Sequence, residues 1–344
     1  MDVSSTERVT QSPNGAGPDS LARSVVRRMW REACALTTYA RRRPPFLLGV
    51  VLTVVALLIA VIEPLVVPYS PISATVDVLQ APSSSHWMGT DSTGMDILSR
   101  VLAASRVDLS IALGGTLLSC IAGVILGAAA GYWGAEPGVP RLLSEGLLRI
   151  MDMIQSFPVF IFALALVSLS GPSEKNVILA IAFVNLPVFL RLTRAAVLAT
   201  RENLYIEAAR SVGLGDIRIL FQHIIPNSIE SALVNASVTV GGAILLTAGL
   251  SFIGAGIRPP TPEWGSIIAT GSQYMITGQW WIGLFPGVAL SLTVFGFALV
   301  GDGLREYLNP AKRRLFVGNA TRQGDDHTAG ESVAVLSAER PSAR

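Results

Sequence analysis

Covalent chemistry needs an acid, a base or a nucleophile in a converging pattern, and this chain offers few. Its histidines, His86, His223 and His327, are scattered, and none has a suitable Cys, Asp or Glu partner nearby in sequence. No His-Glu-x-x-His pattern occurs. The only lysines are Lys175 and Lys312, and neither follows a Gly-x4-Gly-Lys-Ser/Thr loop. Without that cradle for β- and γ-phosphates the chain is expected to bind no ATP itself. Asp91 and Asp96 would be metal candidates, but they stand among residues that read as turn and cap chemistry. No cofactor or metal site is expected. What remains is non-covalent work, docking and packing, and the polar stretch 203–227 is its best candidate. There Tyr205, Ala208, Ala209 and Val212 recur at i, i+3, i+4 and i+7, one stripe of a helix. Two of the four are alanines, which suit close approach to another surface. Gly213 stands where a helix C-terminus takes a left-handed residue. Asp216 can cap a second helix with the stripe Ile217, Leu220, Phe221 and Ile224. Pro226 is expected to block extension of that helix and start the turn into the next apolar stretch. The reading is two short helices about a hinge, a rigid L-shaped knob.

The elements that must hold this knob are apolar. The chain is 51% hydrophobic and 15% charged, with mean hydropathy +0.52; a soluble domain carries about 25% charge. A spanning helix needs about 20 mostly apolar residues. Uncharged runs occupy Pro44–Ile62, Leu109–Ala135, Met153–Ser173, Asn176–Leu190, Ser231–Ile257 and Trp264–Gly301. The fourth extends past a snorkelling Arg191. The last is too long for one span; its second half, Ile282–Gly301, is read as the span and its first half as an outer-face or re-entrant segment. The sum is an all-α membrane protein with six transmembrane helices. With the N-terminus inside, 22 of the 26 Lys and Arg residues fall on the cytoplasmic side, which places both termini and the 203–227 loop there. Sorted charge of this kind needs the lipid bilayer as partner and no nucleic acid. Asp152 and Glu63 lie near span ends, where an interface or a local ion pair satisfies them better than a proton relay would.

Organisation along the chain follows. Residues 1–45 are a basic, partly disordered leader, in which 21–40 could form an amphipathic helix on the inner leaflet. Residues 46–108 hold the first span and an outer segment, 109–310 the five-span core, and 311–344 an unstructured tail. Gly115, Ser119, Gly123, Gly127 and Gly131 recur every fourth residue, so small side chains share one helix face and another helix can approach closely. Packing within the chain and packing against a partner subunit both fit. In the outer segment Gly89, Thr90, Asp91 and Gly94 read as turns, and Ile97, Leu98, Val101 and Leu102 as an outer interfacial helix.

Glu207-Ala208-Ala209, Gly213 and Ile225-Pro226 together resemble the EAA loop of ABC-importer permeases. Further matches extend the resemblance over about 46–312. Residues 86–109, with Gly89, Thr90, Asp91, Gly94, Asp96, Arg100 and Arg106, resemble the outer segment of the C-type subunit of dipeptide, oligopeptide and nickel permeases. Residues 250–265 and Gly301–Pro310 resemble two later motifs of the same subunit. Met95, Ala104 and Asp108 depart from that pattern, which usually has Arg, Gly and Ser. The resemblance implies a type I ABC-importer permease fold in the cell inner membrane, importing peptides by alternating access and without enzymatic activity of its own. Nickel complexes, glutathione or another small solute are the alternatives, and an ion-coupled secondary transporter a remote one. It also implies partners: a homologous B-type permease, two ATP-binding subunits that hold ATP and Mg, and an extracytoplasmic solute-binding protein. On this reading Glu207, Ala208, Ala209 and Gly213 contact the ATPase.

Overall fold

The structure, a computed structural model, describes residues 39, 40 and 43–308. The leader and the tail, with the expectations placed on them, lie outside the described residues. A short unit ends at Leu47, and in it the Tyr39 and Phe46 rings face each other at 5.4 Å. The unit from Leu48 onward is a helical bundle, with no strand among the described residues beyond one bridge between Thr90 and Asp96.

Helix α1 (Pro44–Val66) is apolar except for Glu63 near its end, with little of it buried. Helix α2 (Ile97–Tyr132) follows the outer segment as one rod of 36 residues. The expected separate outer helix is thus the first turns of α2, because no proline stands between Ile97 and Tyr132. Asp96 starts it: its backbone is extended and its carboxylate accepts from Ser99 N at 2.8 Å, a cap of about 1 kcal/mol.

The expected third span is not a single rod. Helices α3 (Val139–Ser156) and α4 (Val159–Ser170) are bent by 95° at their junction. Pro158 lacks an N–H and pushes Phe157 into extended backbone, φ −81° and ψ 141°. Among the described residues five helices are long and apolar enough to cross a membrane, and the bent pair makes up to six.

Helix α5 (Glu174–Arg201) is capped by Ser173, with an acid in its first turn and a base in its last, as the helix dipole favours. Its pairing with α2 is the most extensive in the molecule. The small-residue stripe faces α5 of the same chain. A Cβ on Gly123 would lie 2.4 Å from Phe189 Cβ, one on Gly127 2.4 Å from the Leu190 carbonyl oxygen, and one on Gly131 2.9 Å from Val197. Gly115 meets Ile181 in the same way, and Ser119 is buried with its hydroxyl turned back to the Thr116 carbonyl.

Past α5 come α6 (Leu204–Ser211) and α7 (Asp216–Ile219). A π-turn, Leu220–Ile224, then joins α7 to α8 (Ile225–Phe252). Pro226 does not end a helix, as expected from the sequence; it sits in the first turn of α8, and Asp216–Phe252 runs on as one long element. The missing Pro226 N–H falls beside a widened turn, where the Ile225 N–H reaches back to the Leu220 carbonyl. Helices α9 (Trp264–Tyr274) and α10 (Trp281–Leu308) divide the last apolar run into a short segment and a long one.

Candidate functional site

The knob is built into the ends of two long helices. Ile206 and Ala209 from α6, Ile219 from α7 and Leu220 and Ile224 from the π-turn bury themselves against Ala128, Tyr132 and Val197. Polar bonds close the same joint. The Tyr132 hydroxyl donates to Asp216 Oδ1 at 2.6 Å, and the Tyr132 carbonyl accepts from Arg201 at 2.8 Å. Arg201 also pairs with Glu136 at 2.8 Å. The Arg210 guanidinium lies 5.4 Å from the centre of the Tyr132 ring. The Tyr132 hydroxyl, with the Asp216 and Glu136 carboxylates behind it, holds Arg210 above the ordinary guanidinium range.

This geometry redistributes the predicted residues. Gly213 has φ +80°, the left-handed turn expected after α6, with open space around it. Asp216 caps nothing with its side chain; Gly215 precedes α7, and the Asp216 carboxylate takes the tyrosine instead. Ala209 faces inward, so it is packing for the knob rather than outer surface. Tyr205, Glu207, Ala208 and Val212 stay exposed, together with Leu204, Ile217 and Phe221. Val212 is 77% and Phe221 60% exposed, so two short helices present one apolar face with Glu207, Arg210 and Arg218 around it. Apolar exposure on so firmly anchored an element fits a docking surface. Pro226 lies at the start of α8 and is exposed.

At the opposite end of the bundle the 86–106 motif forms a folded brace. Gly89 and Gly94 take φ +75° and +74°. Thr90 bonds both Gln80 and Asp77, and its carbonyl accepts from the Trp281 indole at 3.2 Å. Asp91 Oδ1 accepts from Thr93 and Met95, and Asp91 Oδ2 pairs with Arg100 at 3.2 Å. Asp96, besides capping α2, meets His86 Nδ1 at 2.9 Å. His86 therefore has an acidic partner ten residues away, which the scattered-histidine reading missed. Arg106 reaches Glu63 at 3.9 Å, and Asp152 pairs with Arg191.

Two buried acids at this end were not singled out as a site. Asp108 and Glu263 have no exposed surface, and both hold the N-terminus of α9. Burial pushes the Glu263 carboxyl up. The sequence had marked Asp108 only as a departure from a family pattern.

The family described as "Binding-protein-dependent transport system inner membrane component" matches residues 121–314. A dipeptide transport system permease protein, DppC, of Alkalihalophilus pseudofirmus is 36% identical over 303 residues, covering 88% of this chain and 96% of that protein. The dipeptide permease DppC of Escherichia coli K12 is 40% identical over 280 residues, 79% of this chain and 91% of the relative. A glutathione transport system permease, GsiD, of Pectobacterium atrosepticum is 40% identical over 231 residues, 67% and 74% of the two chains.

Proposed function

The chain belongs to the family of binding-protein-dependent transport system inner membrane components, and from that premise we propose that it is the C-type permease subunit of an ATP-driven peptide importer. It is a multi-pass membrane protein and not an enzyme. Relatives named for dipeptide transport support peptides as cargo. The glutathione-named relative stays within the same solute class, since glutathione is itself a small peptide.

The observation that carries this reading is the exposed apolar face of α6 and α7, held by Tyr132, Arg201 and the buried Ile206 and Ile219. A chain without a phosphate loop must receive work from elsewhere, and this face is where an ATPase subunit docks. Lys and Arg sorting supports a cytoplasmic side for this face and for both termini. Two ATP-binding subunits, each holding ATP and Mg, a homologous B-type permease and an extracytoplasmic solute-binding protein complete the importer. ATP has different affinities for the two arrangements of the ATPases and so shifts the permease between them.

The test is reconstitution. Peptide uptake into liposomes requires the ATPase subunits, ATP and the solute-binding protein. Glu207→Lys inserts normally but loses uptake and co-purification of the ATPase. Uptake by this chain alone, driven by an ion gradient, would overturn the assignment in favour of a secondary transporter.

A further inference from the structure

Helix α9 begins against α2, and its first N–H groups are taken by two carboxylates. Glu263 is its N-cap, in extended backbone with φ −152° and ψ 138°. Its Oε1 accepts from Gly265 N at 3.0 Å and its Oε2 from Ser266 N at 2.8 Å. Asp108, from α2, accepts the Trp264 N–H on Oδ2 at 3.0 Å. The Trp264 indole donates to the Val101 carbonyl of α2 at 3.0 Å, which seals the seam on one side. A Cβ on Gly265 would lie 2.1 Å from the Ala248 carbonyl oxygen of α8, so the other side is tight as well.

The remaining oxygen decides the chemistry. Asp108 Oδ1 is buried and has no donor among the described residues. Asp108 Oδ2 and the two Glu263 oxygens sit on three successive N–H groups, Trp264, Gly265 and Ser266, so the two buried carboxyls lie side by side at one helix end. Ionised carboxylates only accept, so two of them have no hydrogen to share. Like charges in contact, without water, do not both ionise. No compensating cation faces them among the described residues. On α2, Arg100 is committed to Asp91, and Arg106 to Glu63. From α8 comes the Ser251 hydroxyl, buried and without a hydrogen-bond partner among the described residues, and from α9 the three backbone N–H groups already named. Arg258, on the connection before α9, is exposed.

We infer that Asp108 and Glu263 bind one proton between them, and that this proton is the tie fastening α9 to α2. The Oδ1–H of Asp108 donates to Glu263, and Glu263 remains the negative cap on the α9 N-terminus. Loss of the proton leaves two anions in a buried seam, so the seam opens. A serine at position 108 would donate to an ionised Glu263 with a hydroxyl that does not titrate in this range. Asp108 thus makes the same joint sensitive to protons.

The full-length chain in lipid nanodiscs allows a direct test that needs no transport. Infrared difference spectra of wild type against D108N and D108S at neutral pH should show one protonated-carboxyl band present in wild type and absent from both variants. Amide exchange at Trp264, Gly265 and Ser266 gives the second readout. In wild type their protection factors should fall roughly tenfold for each pH unit above the ionisation of the pair, as release of one proton requires. In D108N, whose amide can donate to Glu263 and accept from Trp264, protection should be flat over the same range. A wild-type spectrum without the band, or equal pH dependence in wild type and D108N, overturns the shared proton.

Discussion

Gly127→Ala tests the packing of α2 on α5. The added Cβ would lie 2.4 Å from the Leu190 carbonyl oxygen, 3.0 Å from Thr193 Cβ and 3.2 Å from Arg194 N. An ordinary contact starts near 3.4 Å, so the helices must part by about 1 Å at this point. The opposing atoms are mostly backbone, which cannot turn aside as a side-chain end can. Over-packing of this kind costs about 1–3 kcal/mol, against a gain of up to about 1 kcal/mol from replacing a helical glycine with alanine. Gly114→Ala is the matched control on the same helix, because its Cβ would meet Ile178 Cδ1 at a comfortable 3.6 Å. Thermal unfolding of the two variants in the same nanodiscs should therefore separate them by roughly 2 kcal/mol, Gly127→Ala being the weaker. If the stripe instead served a partner permease, Gly127→Ala would leave the isolated chain as stable as Gly114→Ala and would lower only co-purification of the partner. Equal stability of the two variants refutes the reasoning.

Tyr132→Phe removes the hydrogen bond to Asp216 and keeps the ring; about 0.5–1.5 kcal/mol of anchoring is lost, and uptake should fall relative to ATP hydrolysis while the ATPase still co-purifies. Ile217→Glu and Ile206→Glu separate surface from core: the first, on the exposed face, should abolish ATPase capture with unchanged thermal stability. The second places a charge in the buried joint and should lower stability by several kcal/mol, measured in the same melts. The pH dependence has a fixed sign. Burial raises Glu263, so the acid pair it forms with Asp108 keeps in the native chain one proton that the unfolded chain has released above the ordinary carboxylate range, about 4.3. Stability is full below that range and declines as pH rises toward the raised value; Glu263→Gln melts should lose that decline.

Much of the bundle could be read from run lengths, because a bilayer demands long apolar helices whatever their partners. The division of the last run into α9 and α10, and the left-handed Gly213, were also legible from local chemistry. The knob was harder. Both of its faces are apolar, one for the core and one for docking, so a 3.6-residue stripe does not say which way it points. Ala209 turned inward beside Ile206, and Ala208 turned out. Pro158 and Pro226 show a second limit. Each removes one hydrogen bond, but at Pro158 the chain breaks by 95°, whereas at Pro226 a π-turn takes up the defect. Neighbouring packing decides between these outcomes. The joints themselves are long-range: Tyr132 meets Asp216 across 84 residues, and Asp108 holds Trp264 across 156. Nothing in a single sequence links positions so distant.

These two joints lie on one rod. Asp108 and Tyr132 belong to the same unbroken helix, and the 24 residue steps from one to the other span about 36 Å at 1.5 Å per residue. Over that length the glycine stripe holds α2 so close to α5 that backbone meets backbone, so the two helices move together or not at all. A push on the knob arrives at Tyr132 and at Arg201, the far ends of this pair. The pair can respond only by tilting as one body, and its other end carries half of the seam with α9. Within that seam the polar ties across to α9 are the Trp264 bonds and the acid pair. A stiff α2–α5 pair is therefore what makes a disturbance at α6 and α7 felt at α9. Loosening the pair with Gly127→Ala should weaken ATP-dependent uptake without touching either joint; in that variant the infrared band of the acid pair should survive at neutral pH while coupling falls.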